Sequence, residues 1–260
     1  MQPKNRLTIK LLSIVIPAYK QEKTISENIK QIIDTLDSLG CNYEVIIVVD
    51  GMVDKTYEKA MKYKSARVKV LGYTNNEGKG HALRYGMMQS KGDVIGFIDA
   101  GMDIQPTGFR MLLNHMEWYN ADIIVGSKLH PVSQVIYPWH RTVMSWGYRT
   151  LTWALFGFKV RDTQVGLKLF KREVVRKVFP LLMVKRFAFD IEMLAVAYSY
   201  GYTRIFEAPV EINFSNNTIL SKNVWKVIGG TLIDTLAVYY RLKILRYYDK
   251  QIKEKRHAAQ

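Results

Sequence analysis

The first half of the chain alternates between short apolar runs and segments with helical periodicity. The apolar runs predict strands at Leu11–Ile16, Glu44–Val49, Val68–Leu71 and Val94–Ile98. Hydrophobic residues at helical spacing predict helices at Glu22–Leu39, Asp54–Lys64 and Lys79–Ser90. Because strands that alternate with helices form βαβ units, the pattern predicts an α/β fold with a central, mostly parallel sheet flanked by helices.

The second half is less regular. It predicts strands at Ile123–Val125 and Ile205–Pro209, and an apolar run at Val165–Phe170. Predicted helices occupy Arg141–Phe156, Glu173–Phe179, Phe189–Tyr200 and Val224–Tyr248. We therefore predict that residues 1–222 form one domain and that residues 223–260 add a C-terminal amphipathic helix with a basic tail.

Polar residues stand where the predicted strands end. They are Tyr19 with Glu22, Asp50, Asn75 and Asp99. In open parallel sheets, ligands bind outside the carboxyl ends of the strands. This convergence predicts a nucleotide or sugar site at that edge of the sheet.

Net charge narrows the choice of partners. The 260 residues carry a formal charge of +15, which favours nucleic acid, anionic lipid or phosphorylated substrates. The basic residues are dispersed through the βα elements rather than gathered in a nucleic-acid-reading motif, which argues against nucleic acid. Because Cys41 is the only cysteine, no intrachain disulfide can form, and a reducing compartment fits best.

Two features suggest contact with a membrane surface. No apolar run reaches the roughly 20 residues of a membrane span, so we expect a cytoplasmic protein that is peripheral on the cytoplasmic face of a membrane. Trp139, Trp146 and Trp153 recur at a spacing that places them on one helix face, where they could meet a bilayer interface or fill the core. The last helix ends in a basic stretch, which suits an anchor on anionic lipid; packing on its own domain or on a partner subunit is the alternative.

Five segments carry motifs that occur in the order of one enzyme family. They are Ile14–Glu22, Val48–Thr56, Asn75–Ala82 with its Gly-Lys-Gly, Phe97–Pro106 and Val160–Arg172. Together they resemble the family 2 glycosyltransferases, particularly the dolichol- and polyprenyl-phosphate sugar synthases, over roughly residues 11–222. The resemblance implies the GT-A fold and a metal-dependent, inverting hexosyltransferase.

The resemblance also implies a site for a nucleotide-sugar. Its residues would be Pro17, Ala18, Tyr19, Glu22, Asp50, Lys79, Asp99 and Ala100. Asp50 would accept a hydrogen bond from the base, and Lys79 would meet the pyrophosphate as a point charge. The donor would be of the GDP-mannose or UDP-glucose type.

A metal site is implied at the end of the fourth strand. Asp99 and Asp103 would hold Mg²⁺ or Mn²⁺ together with the donor phosphates, since hard cations prefer oxygen ligands. The sequence departs from the family at Gly101, in place of the second Asp of the metal motif, and at Val49, in place of an Asp beside Asp50. These departures leave open a catalytically weakened or non-catalytic relative.

The class of acceptor can be argued from whether sugar transfer needs a general base: a hydroxyl acceptor needs one to remove its proton. A lipid phosphate is already an anion and needs cations rather than a base, and the candidates are Lys128, Arg141, Lys168 and Lys222. Asp162 is either a base or, as we favour, a structural residue. The resemblance therefore points to transfer onto a polyprenyl or dolichyl phosphate. The alternative is a family 2 enzyme with a hydroxyl acceptor, for which Asp190 or Glu192 could supply the base.

Overall fold

The computed structural model describes residues 9–130, 139–185, 188–212 and 224–251, with the side chains of 139–145 and 224–228 left undescribed. Its sheet has seven strands in the order β3-β2-β1-β4-β6-β5-β7. The strands are β1 (Leu12–Ala18), β2 (Tyr43–Asp50), β3 (Val68–Tyr73), β4 (Val94–Ile98), β5 (Ile123–Ser127), β6 (Leu167–Lys171) and β7 (Ile205–Pro209). Only β6 runs antiparallel to its neighbours among these strands, so the predicted mostly parallel sheet is confirmed.

Helices cover both faces of the sheet. They are α1 (Ile25–Asp37), α2 (Thr56–Met61), α3 (Lys79–Met88), α4 (Gly108–Trp118), α5 (Trp139–Phe156), α6 (Arg172–Val178), α7 (Phe189–Ser199) and α8 (Val224–Tyr239). The sequence pattern predicts all of these except α4. The buried residues of α4 include Phe109, Leu112 and Met116, whose spacing of three and four residues is the helical signal that the prediction missed.

The central strands are buried on both faces, which explains their continuous apolar sequences. Successive side chains of a strand point to opposite sides, so Ile46 and Val48 join one core cluster and Ile47 and Val49 join the other. The first cluster packs under α3, α6 and α7, and the second packs under α1 and α4. This two-sided core fixes the carboxyl ends of β1, β2 and β4 at one edge.

The C-terminal segment packs on the same core along one side. Val238 of α8, then Leu242 and Tyr248 beyond it, are buried in the cluster that also contains α7. The opposite side leaves Ile233 and Leu236 exposed. No helix in the described ranges has both the length and the apolar content needed to cross a bilayer. The division at residue 222 stays a prediction, because residues 213–223 lie outside the described ranges.

Candidate active site

A cavity of about 540 Å³ lies at the carboxyl ends of β1, β2 and β4. Its lining residues are Pro17, Ala18, Tyr19, Gln21, Asp50, Asn76, Gly78, Lys79, Asp99, Ala100 and Gly101. The structure thus brings together every residue predicted to bind the nucleotide-sugar except Glu22. Gln21 and Asn76 also line the cavity, although the sequence motifs did not single them out.

Asp50 shapes the cavity by holding the loop that precedes α3. Its carboxylate accepts hydrogen bonds from the backbone N–H groups of Glu77 at 2.8 Å and Gly78 at 3.0 Å. The side-chain amide of Asn76 donates to the same carboxylate at 2.9 Å. The N–H of Gly78 also lies 3.2 Å from the other oxygen, so both carboxylate oxygens take part in holding this loop. The predicted contact between Asp50 and a base stays a prediction.

Glu22 lies beside the cavity rather than in its wall. Its carboxylate accepts from the backbone N–H of Lys55 at 3.2 Å, and its backbone carbonyl accepts from the Lys59 ammonium at 2.6 Å. These contacts join the loop after β1 to the start of α2. The structure therefore gives Glu22 a role in supporting the loop that carries Tyr19 and Gln21, and its predicted contact with the nucleotide stays untested.

Four alternating charges extend from the cavity into the core. The Lys79 ammonium lies 2.8 Å from Oδ2 of Asp99 and 3.9 Å from Oδ2 of Asp190. Behind them, Lys168 is fully buried and donates to Oδ1 of Asp190 at 2.5 Å and to the carbonyl of Val165 at 2.6 Å. Opposite charges alternate along this set, which offsets the cost of removing them from water.

The pKa values of the two lysines move in opposite directions. Burial tends to lower the pKa of Lys79, but the carboxylates of Asp99 and Asp190 outweigh it and raise that pKa above its ordinary value. For Lys168, complete burial dominates and lowers the pKa, with Asp190 opposing the shift. Lys79 is therefore a strongly held cation at the cavity wall.

Asp99 has the features of a metal ligand. Its Oδ1 is buried and has no hydrogen-bond partner among the described residues, while Oδ2 is paired with Lys79. Buried polar atoms are nearly always satisfied, so an orphaned carboxylate oxygen indicates a place for a cation. Gly166 permits this position, because a Cβ there would lie 2.1 Å from Oδ2 of Asp99.

A tight turn directs the following residues toward the same edge. The N–H of Met102 donates to the carbonyl of Asp99 at 3.2 Å, and Met102 takes a left-handed backbone conformation with φ of 56°. Asp103 follows, is exposed, and is close enough to Lys79 to raise the pKa of that lysine. Within the described residues, no three His, Cys, Asp or Glu side chains form a metal cluster. A site built from Asp99 and Asp103 would take its other ligands from donor phosphates and water.

The residues predicted for the acceptor side are only partly described. Oδ2 of Asp162 accepts from the backbone N–H of Lys128 at 3.1 Å, a contact expected of a structural residue. Burial raises the pKa of Asp162, although Lys128 opposes the shift. Lys168 faces Asp190 inside the core. The side chain of Arg141 and the whole of Lys222 lie outside the described residues. All four cationic roles remain predictions.

Glu192, one candidate base for a hydroxyl acceptor, already accepts hydrogen bonds at both carboxylate oxygens. It is fully buried and accepts from the backbone N–H groups of Met183 and Val184 and from the hydroxyl of Tyr248. Asp190 is the candidate base that lies next to the cavity, through Lys79. The sequence motifs placed Asp190 in the family pattern but gave no signal that Lys168 would pair with it.

The profile of Glycosyl transferase family 2 matches residues 13–179, more than half of the chain. The chain belongs to this family. All of the residues that line the cavity fall within the matched range. The family 2 resemblance noted in the sequence is therefore confirmed.

Two relatives named dolichyl-phosphate beta-glucosyltransferase are about one third identical to this chain over the aligned residues. The dolichyl-phosphate beta-glucosyltransferase of Drosophila melanogaster is 34% identical over 202 residues, which cover 72% of this chain and 62% of the fly protein. The human dolichyl-phosphate beta-glucosyltransferase is 33% identical over 222 residues, covering 79% of this chain and 68% of the human protein. The chain thus spans about two thirds of the length of these relatives.

Solved structures of other glycosyltransferases share the fold. The glucosyl-3-phosphoglycerate synthase of Mycobacterium tuberculosis, solved with Mn²⁺, UDP and phosphoglyceric acid, has a TM-score of 0.64 at 18% identity, covering 89% of this chain and 78% of that chain. The mannosyl-3-phosphoglycerate synthase of Rubrobacter xylanophilus has a TM-score of 0.69 at 15% identity, covering 90% and 74%. These similarities confirm the GT-A fold for this family 2 chain.

Proposed function

We propose that this family 2 chain transfers glucose from UDP-glucose to dolichyl phosphate or a related polyprenyl phosphate, with inversion at the anomeric carbon. The observation that carries the proposal is Asp99, which lies beside Lys79 in the cavity at the strand ends and has a buried oxygen without a hydrogen-bond partner in the described part of the chain. The names of the fly and human relatives supply the sugar and the acceptor. A solved neighbour holds UDP, which favours that nucleotide over GDP.

The cavity suits a nucleoside diphosphate. Tyr19 and Asp50 form the part of the wall where a base could stack and donate a hydrogen bond. Lys79 stands in the first turn of α3, so its charge and the helix N-terminus both attract the diphosphate. The sugar would then lie toward Asp99 and Asp190.

Asp99 and Asp103 would hold a divalent cation, and the solved neighbour contains Mn²⁺. When bound, such a cation neutralises negative charge on the departing diphosphate. The residues of the chain orient the donor, and Lys79 adds a second positive charge on the same side. Because the acceptor phosphate is already an anion, its attack opposite the diphosphate requires no general base, and it inverts an α-linked donor to a β-linked product.

The proposal places the chain on a membrane surface, where the acceptor resides. Trp146 and Trp153 of α5 are 60% and 51% exposed, so they do not fill the core as one reading of the sequence allowed. Trp153 also borders a cavity of about 600 Å³ with Arg149, Lys159 and Arg161. Exposed tryptophan beside basic side chains suits the interface of an anionic bilayer.

The direct test is transfer of labelled sugar into organic-extractable lipid by the purified full chain. UDP-glucose, UDP-GlcNAc and GDP-mannose would each be offered with polyprenyl phosphate, in Mn²⁺ and in EDTA. We expect metal-dependent label from UDP-glucose and loss of that label in Asp99→Asn. Lys69→Met is the matched control, since Lys69 pairs with Glu44 at the opposite ends of the strands.

Other outcomes would replace the proposal. Label from GDP-mannose alone would make the chain a mannosyltransferase. Consumption of a donor with a soluble hydroxyl acceptor, and no labelled lipid, would support the hydroxyl-acceptor alternative and direct attention to Asp190. No turnover of any donor by folded protein would identify a non-catalytic relative.

A further inference from the structure

Lys79 would compete with a divalent cation for the charge of Asp99. Its ammonium lies 2.8 Å from Oδ2 of Asp99, the carboxylate whose other oxygen is buried without a hydrogen-bond partner in the described part of the chain. Two cations that share one carboxylate at this distance repel each other strongly at the edge of a protein core. A divalent cation bound to Asp99 would therefore be repelled by the ammonium in this position.

A second carboxylate is ready to receive the ammonium. Oδ2 of Asp190 lies 3.9 Å from Nζ of Lys79, only about an ångström beyond direct hydrogen-bonding distance. Asp190 is buried and is held from behind by Lys168, which donates to its other oxygen at 2.5 Å. The receiving oxygen is thus fixed in orientation before the ammonium moves.

Both ammonium groups lie close to one aromatic ring. Nζ of Lys79 lies 5.6 Å from the centroid of the Phe97 ring, and Nζ of Lys168 lies 5.2 Å from it. Attraction between an ammonium and an aromatic face operates within about 6 Å, so Lys79 stays stabilised during a short displacement. The flexible four-carbon stem of lysine allows such a displacement without a change in the backbone.

We propose that Lys79 is an exchangeable counter-ion, whose ammonium neutralises Asp99 before the metal binds and moves to Asp190 when a divalent cation takes its place. Asp190 and Lys168 are then positioning residues for this exchange. The consequence is that metal binds weakly to the chain alone, because it must displace an ammonium. The inference deepens the proposed function, since it takes Asp99 as the ligand of the cation used in sugar transfer.

The test is binding of Mn²⁺ alone, measured by the electron paramagnetic resonance signal of the free ion, with no nucleotide, sugar or lipid present. We expect Lys79→Met to bind Mn²⁺ at least about tenfold more tightly than the unaltered chain, since one repelling charge is removed. Asp99→Asn should abolish this site. Lys69→Met, which removes a charge at the opposite ends of the strands, should leave the affinity unchanged.

A double-mutant cycle tests the receiving carboxylate. Asp190→Asn should weaken Mn²⁺ binding when Lys79 is present, because the ammonium loses its second partner. In the Lys79→Met background the same substitution should have much less effect, whereas two independent charge effects would be additive. Asp190→Asn could fail to fold because Lys168 loses its carboxylate partner. In that case the Mn²⁺ affinity of Lys79→Met, compared with that of the unaltered chain, still tests whether the ammonium opposes metal binding.

Three results would overturn the exchange. They are Mn²⁺ binding by Lys79→Met no tighter than that of the unaltered chain, additive effects in the cycle, and no Mn²⁺ binding by any variant. Because the assay contains no donor or acceptor, its outcome is independent of the sugar-transfer assay. A chain that transfers no glucose can still show the exchange, and an active chain can lack it.

Discussion

The hydroxyl of Tyr248 donates to Oε1 of Glu192 at 2.6 Å inside the core, and this contact ties the C-terminal segment to the active-site half of the chain. Glu192 in turn accepts from the backbone N–H groups of Met183 and Val184. The next residue, Lys185, accepts from the N–H of Gly80 through its carbonyl and pairs with Glu77 through its ammonium. One carboxylate thus connects the segment that follows α8 with the start of α3, where Lys79 lies.

We predict that Tyr248→Phe lowers the free energy of unfolding by about 2 kcal/mol, because a buried carboxylate loses a charge-assisted hydrogen bond. Chemical denaturation followed by circular dichroism measures this change. The control is Tyr247→Phe, since the described contact of Tyr247 with its neighbour is an edge contact between rings that the substitution keeps. Equal stability of the two variants would show that the bond to Glu192 contributes nothing.

The same carboxylate predicts a dependence of stability on pH. Burial raises the pKa of Glu192 above its ordinary value of 4.5, although Tyr248 and two backbone N–H groups oppose the shift. The folded protein therefore binds this proton more tightly than the unfolded chain, and the resulting stability falls as pH rises above 4.5 through the raised pKa. Loss of the Tyr248 hydroxyl should raise the pKa further and extend the fall to higher pH. Denaturation midpoints across the acid range measure this loss of stability. Parallel pH profiles for the unaltered chain and Tyr248→Phe would show that Glu192 is not its source.

A methyl group at Gly166 should disable Asp99 without unfolding the chain. The added Cβ would lie 2.1 Å from Oδ2 of Asp99, so the carboxylate must move. Displacement of a site residue by about an ångström can lower turnover on the order of 100-fold. We predict such a loss of sugar transfer for Gly166→Ala, together with loss of Mn²⁺ binding. Gly229→Ala is the matched control, because a Cβ there meets nothing within 4 Å. Equal activity of the two variants would show that Asp99 is not part of the active site.

The sequence predicted the sheet and most of the cavity because both depend on local signals. Continuous apolar runs mark strands that are buried on both faces, and the residues at their ends must meet at one edge, as Tyr19, Asp50 and Asp99 do. The pairing of Lys168 with Asp190 had no such signal, because it joins residues 22 positions apart on β6 and α7. For the same reason, the motif marked Lys168 as a cation for the acceptor and could not indicate that it is fully buried.

If α5 contacts the membrane, replacing its two exposed tryptophans should reduce binding to liposomes, whereas replacing an exposed tryptophan on another helix should not. Trp146 and Trp153 are exposed on α5, and Arg149 lies between them in the chain. We expect the double variant Trp146→Ala/Trp153→Ala to lose most co-flotation with anionic liposomes, and the unaltered chain to bind less at high salt. Trp118→Ala is the control, since Trp118 is 68% exposed on α4. Loss of flotation in the control as well would show that exposed tryptophan in general, rather than the face of α5, mediates the binding.

The two departures from the family motif predict opposite outcomes when the family residue is restored. A Cβ at Gly101 meets nothing within 4 Å, and the residue lines the cavity beside Asp99, so Gly101→Asp adds a carboxylate in open space. We expect Mn²⁺ to bind about tenfold more tightly, a change of about 1.4 kcal/mol, because a further carboxylate ligand becomes available beside Asp99 and Asp103. Val49 is instead fully buried in β2, so Val49→Asp places an unpaired charge in the core and should destabilise the fold on the order of 3 kcal/mol. Manganese titration of Gly101→Asp and thermal unfolding of Val49→Asp measure the two effects. Unchanged Mn²⁺ affinity in a stable Gly101→Asp variant would mean that the metal is not held at Asp99.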